Sequence, residues 1–252
     1  MRIFLRKTGY VVIYLLSIFF VFIPLNIAKK RGTIREVHLE ERFSWNEGKH
    51  LFVTNHPSWL DQFLIVALRL FHWGTNAFPF IAVANDSIKR LLYLDFFREL
   101  SYLIPIERRS NIYAVREDIK RMKSLLAANH NLMIAGAPGR DFRGSKEEII
   151  FSPIKNKPLR KFTNLPGILA TLPGVKTVPS CIEGTDKLYR EVQINNEKEM
   201  IFSFWNFFVL FLFLGRIKIR IIYNKTLILE GERKRVATSI IQQTVLNSLD
   251  YP

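Results

Sequence analysis

Residues 8–28 carry no charged side chain, and residues 10–23 are almost entirely aliphatic or aromatic. A helix rising ~1.5 Å per residue would carry this run roughly 30 Å, the thickness of a bilayer's hydrocarbon core. Arg2, Arg6 and Lys7 flank one end, and Lys29, Lys30 and Arg31 the other. Cations at both ends suit lipid headgroups but leave the positive-inside bias nearly tied. Pro24 is expected to kink or end the helix near its C-terminal side. A cleaved signal sequence and a buried core helix are the competing readings. Asn26-Ile27-Ala28 is a poor small-x-small cleavage site. The reading taken is a membrane-embedded helix, with residues 1–35 as an anchoring segment and residues 36–252 as the folded domain.

The charge balance is the second constraint. Thirty-seven Lys and Arg against 22 Asp and Glu leave a net charge of +15 on 252 residues, 48% of them hydrophobic. Such a chain has material for a sizeable core, and its basic surface suits nucleic acid, an anionic membrane or phosphorylated substrates. The single cysteine, Cys181, excludes a disulfide framework and a multi-Cys metal site. Residues 201–215 form a second apolar block rich in Phe, short for a span and suited to an interfacial, re-entrant or core element. Directly after it, Arg216-Ile217-Lys218-Ile219-Arg220-Ile221 alternates cations with aliphatics. That is the period of a half-buried strand with one cationic face, suited to anionic lipid headgroups and expected first at a solvated sheet edge.

Between the two apolar blocks, strand-like and helix-like stretches alternate. Short apolar runs at 51–54, 80–84, 102–106, 132–136 and 177–182 suit buried strands. Helices are expected at 58–71, 87–97, 111–129 and 236–249, several beginning with good N-cap residues. The pattern predicts an α/β fold, a mixed, mostly parallel sheet flanked by helices, with the N-terminal membrane-embedded helix added. Ligands of such sheets gather at the carboxyl ends of the strands.

Just after the first of those strands the chain reads Asn55-His56-Pro57-Ser58-Trp59-Leu60-Asp61. His56 falls at the strand-to-helix turn and Asp61 about one turn into the helix. The carboxylate can then reach one imidazole nitrogen, fix the tautomer and leave the other nitrogen as an acceptor. A His so oriented can take the proton of a hydroxyl as that hydroxyl attacks a carbonyl, with no Ser or Cys nucleophile required. The plain alternative is a turn His and a helix-start Asp that caps backbone donors.

This segment resembles the Asn-His-x-x-x-x-Asp block of the glycerolipid acyltransferase family, the lysophosphatidic acid and glycerol-phosphate acyltransferases. Three further stretches follow in that family's order. Leu103-Ile104-Pro105-Ile106-Glu107-Arg108 looks like the second block, and Ile134-Ala135-Gly136-Ala137-Pro138-Gly139-Arg140 occupies the place of the third. Thr177-Val178-Pro179-Ser180-Cys181-Ile182 is similar to the fourth, and Lys161-Phe162 sits where a Phe-Lys pair often precedes it.

The resemblance covers roughly residues 45–185. It implies that His56 is the general base, that Asp61 orients it, and that Asn55 and Gly139 belong to the substrate site. Arg108 and Arg140 would hold the acceptor's phosphate, as guanidinium groups do through paired hydrogen bonds. The donor would be a thioester of coenzyme A or acyl carrier protein, used as co-substrate, with no metal and no other cofactor. The reaction would be O-acylation of a lysophospholipid such as 1-acylglycerol 3-phosphate. It would occur at the inner (cytoplasmic) membrane, with the active site on the cytoplasmic side and membrane lipids as partners.

The third block departs from the family's Phe-Pro-Glu-Gly-Thr-Arg. Pro138 stands before Gly139, and the first carboxylate is Asp141, after Arg140. Ala-Pro-Gly-Arg-Asp looks closer to the Gly-Arg-Asp form of soluble plastid-type glycerol-3-phosphate acyltransferases. Arg143 could therefore take the part of Arg140, and glycerol 3-phosphate or another lysolipid could be the acceptor. No nucleic-acid motif, Gly-rich phosphate loop or metal-ligand spacing is present, so nucleic acid is not expected as a partner. A catalytically silent membrane-surface protein is the rival from another class.

Overall fold

The computed structural model of the chain describes residues 23–39, 43–56, 61–69, 75, 78–84, 103–106, 112–137, 141, 146–194, 197–203 and 205–252. Among the described residues seven strands form one sheet: β1 (Ile34–His38), β2 (His50–Thr54), β3 (Phe80–Ala84), β4 (Leu103–Ile106), β5 (Leu132–Ala135), β8 (Lys176–Glu183) and β11 (Ile219–Tyr223). Their order is β1-β11-β8-β2-β5-β3-β4. Every pairing is parallel except that of β11 with β8. Two hairpins stand apart, β6 (Ile149–Phe151) with β7 (Pro158–Arg160), and β9 (Tyr189–Ile194) with β10 (Glu197–Phe202). The expected α/β architecture with a mixed, mostly parallel sheet is what the chain adopts.

Period-2 alternation divides each strand between two cores. Phe52, Val178, Ile182, Ile221 and Tyr223 point to one face, where α1 (Ile23–Lys30), α2 (Asp61–Ala67) and a π-helix (Trp205–Phe213) pack. Leu51, Val53, Leu132 and Ile134 point to the other. That face is covered by α3 (Ile112–Ala127), α4 (Leu165–Ala170) and α5 (Lys234–Ser248). A strand buried on both faces reads as a continuous apolar run, which is why these strands are legible.

One expectation changes. The alternating segment after residue 215 becomes β11, but β1 covers it on its outer side, so it is not an edge. Pro24 lies within α1, and the part of the expected helix before residue 23, which would show whether Pro24 kinks it, lies outside the described residues. Leu25 and Ala28 of α1 are buried in the first core, and Arg35 lies in β1. Lys29 pairs with Glu36 on β1 rather than facing headgroups alone. The expected membrane helix lies, up to residue 22, outside the described residues, as does the helix expected at 87–97. No helix among the described residues is long and apolar enough to cross a membrane.

Candidate active site

The carboxyl ends of β2, β5 and β8 lie together, because these strands are adjacent and parallel. The amino end of β11 meets them there, because β11 runs against β8. His56 stands two residues beyond the end of β2, the central strand. Asp61 opens α2 and is fully buried. Its Oδ2 lies 3.4 Å from His56 Nδ1, while the imidazole keeps about a quarter of its surface exposed (23%). This is ion-pair distance without a formed hydrogen bond, and Nδ1 has no hydrogen-bond partner among the described residues. Catalytic hydrogen bonds are commonly long in the empty site and tighten around substrate. With the carboxylate on the Nδ1 side, Nε2 is the nitrogen left to act as base.

Two residues beyond the sequence motif hold this pair. Thr185 follows β8, and its Oγ1 donates to Asp61 Oδ1 at 2.5 Å, orienting the carboxylate from the side away from the imidazole. Asp141 is buried and clasps the His56 backbone. Its Oδ2 accepts from His56 N (2.9 Å), its N–H donates to His56 O (3.0 Å), and its Oδ1 accepts from Arg160 N (3.3 Å). Burial pushes the Asp141 carboxyl up from 3.8 to about 7, against the charge of His56 and the two backbone bonds, which pull it down.

The side-chain amide of Asn55, expected to bind substrate, is engaged with β8. Its Nδ2 donates to Ile182 O (2.9 Å) and its Oδ1 accepts from Ile182 N (2.7 Å). The side-chain amide thus prolongs the β2–β8 ladder past its last paired residues, Thr54 and Ser180, and locks the turn that presents His56. Asn55 is a positioning residue. Cys181 on β8 is fully buried, and desolvation holds its thiol well above the ordinary range, so it supplies no thiolate.

Arg108, Gly139, Arg140 and Arg143 lie outside the described residues. Thr185 was missed because nothing local distinguishes it, although it is just past a strand's carboxyl end, where such residues collect. No group of His, Cys, Asp and Glu among the described residues is arranged to hold a metal ion.

No family model matches the chain. No curated protein matches it either. Among solved structures it is similar to the crystal structure of the 1-acyl-sn-glycerophosphate (LPA) acyltransferase, PlsC, from Thermotoga maritima. The TM-score is 0.44 and the identity 14%, over 91% of this chain and 79% of that one. The chemistry read from this site rests on its side chains and not on that likeness.

Proposed function

We propose that the chain is an O-acyltransferase that moves a fatty acyl group from a thioester of coenzyme A or acyl carrier protein to a lysophospholipid hydroxyl. The acceptor of first choice is 1-acylglycerol 3-phosphate, with glycerol 3-phosphate or another lysolipid as the alternative. The observation that carries this reading is His56 with a buried carboxylate on its Nδ1 side, at the carboxyl end of the central strand. His56 Nε2 takes the proton of the acceptor hydroxyl as its oxygen attacks the thioester carbonyl. The tetrahedral intermediate collapses, the C–S bond breaks, and the leaving thiolate recovers the proton from the imidazolium. Asp61 balances the imidazolium charge while it exists, and Thr185 keeps the carboxylate aimed. Arg108, Arg140 and Arg143, with Gly139 allowing close approach, are the groups proposed for the acceptor's phosphate.

Purified full-length protein in detergent, given labelled acyl-CoA or acyl carrier protein and a panel of acceptors, tests the proposal. His56→Ala should lower turnover roughly 10²–10⁴-fold, and Asp61→Asn by up to about 10⁴-fold. Acylation of no acceptor, or an unimpaired His56→Ala, would sink the reaction and favour the silent membrane-surface protein.

A further inference from the structure

A cavity of about 580 Å³ opens at the same end of the sheet, within the ~300–1,000 Å³ typical of small-molecule sites. Asn55 and Asp141 belong to its wall, so it lies against the groups that position His56. Two of its cations are already matched, since Lys157 and Arg220 both pair with Glu183 (Arg220 Nη2 to Oε2, 2.5 Å). Three more, Arg35, Lys187 and Lys218, have exposed side chains in the wall and no ion-pair partner among the described residues; with the exposed Asp186 counted beside Asp141 and Glu183, five cations still face three acids.

Strand register makes this excess of positive charge a built feature. Arg35 on β1 is the cross-strand partner of Arg220 on β11, and Arg220 is the partner of Glu183 on β8. The three side chains therefore stand in one row on one face, two cations beside a single carboxylate that Lys157 also engages. Like charges directly opposite each other are destabilising unless something neutralises them. At the end of β8, Gly184 turns the chain with φ +88°, and a Cβ there would lie 2.1 Å from Lys218 O. Only glycine lets this turn close so tightly, and the turn carries Lys187 toward Lys218.

We infer that the cavity is a subsite for the phosphate ester of a substrate, held by Arg35, Lys187 and Lys218. A guanidinium and two ammonium groups match the several oxygens of a phosphate, and the volume leaves room for the organic part of the ester. The phosphate belongs either to the acceptor or to the acyl donor. The proposed reaction enters only in naming those two sources.

The test is calorimetric titration of the full chain in detergent, at low salt, with glycerol 3-phosphate, coenzyme A and inorganic phosphate. The double variant Lys187→Gln/Lys218→Gln should bind one of the two esters roughly 10- to 100-fold more weakly than wild type. Both lysines are exposed, so unchanged circular dichroism should accompany the loss. A loss confined to glycerol 3-phosphate assigns the subsite to the acceptor, and a loss confined to coenzyme A assigns it to the donor. Unchanged affinities would overturn the inference, as would inorganic phosphate bound as tightly as either ester. A protein that binds an ester but acylates nothing defeats the proposed reaction and leaves the subsite standing. A double variant that acylates with wild-type KM for both substrates defeats the subsite and leaves the reaction.

Discussion

Asp141 accepts from two backbone amides, which favours its ionised form, yet its pKa is pushed up to about 7 because burial outweighs those bonds. The sign of the consequence for stability follows from linkage. Well below pH 3.8 the carboxyl is protonated in both folded and unfolded chains and contributes nothing. As pH rises, the unfolded chain ionises first, so folding loses stability progressively until the folded-state pKa near 7 is passed. The full penalty is roughly 4 kcal/mol. Wild type should therefore lose stability relative to Asp141→Asn between about pH 4.5 and pH 7.5, measured as the shift in denaturant midpoint at the two pH values. Parallel midpoints would show that the group does not titrate in this window. At the acid end the two proteins should differ little, because the folded carboxyl is itself protonated there and, like the amide, offers one strong acceptor oxygen to the two backbone donors. His56 and Asp61 are legible in sequence because their partnership spans a single turn. Asp141 and Thr185 are not, since their partners lie 85 and 124 residues away.

The π-helix and α1 touch each other, and both carry exposed apolar side chains. Ile23 and Ile27 of α1 are exposed beside Trp205 (65% exposed), Phe208 and Phe213 (76%) of the π-helix. The basic last turn of α1 lies at this surface, where the Arg31 guanidinium reaches Phe213 O at 3.5 Å. Phe211 alone of the π-helix is fully buried, so the block of residues 201–215 is neither simply core nor simply surface. An apolar face rimmed by cations suits the headgroup layer of an anionic bilayer, and the prediction is that this one enters it. Vesicles containing anionic lipids with brominated acyl chains should quench a component of the protein's fluorescence that Trp205→Phe lacks. Equal quenching in both proteins would place this face away from lipid. Composition located the apolar block, but its period could not say which residues would be covered, because that depends on α1 and the sheet beneath it.

The molecule as a whole brings its chemistry to one end of the sheet. β2 and β8 deliver Asn55, His56, Glu183 and Thr185 there, and the reversed strands β11 and β1 deliver Lys218 and Arg35 to the same end. Gly184 is the joint between these two groups, and Gly184→Ala tests it. Forcing a Cβ into a left-handed turn against Lys218 O should cost roughly 1–3 kcal/mol, seen as a lower Tm. By moving Lys187 away from Lys218 it should also weaken binding of the phosphate ester. A variant with unchanged Tm would show that the turn is free to relax.

The sequence by itself determined the short buried strands, the long helices α3 and α5, the mostly parallel α/β class and the His56–Asp61 pair. Each of these depends on residues close enough in the chain to share a strand, a helical turn or a cap. The tertiary structure alone decided that β11 is interior, that Asn55 locks β8, that Thr185 and Asp141 brace the pair, and that Arg35, Lys187 and Lys218 converge. The physical reason is that strand order places distant segments side by side, and burial then sets the protonation and partners of whatever meets there.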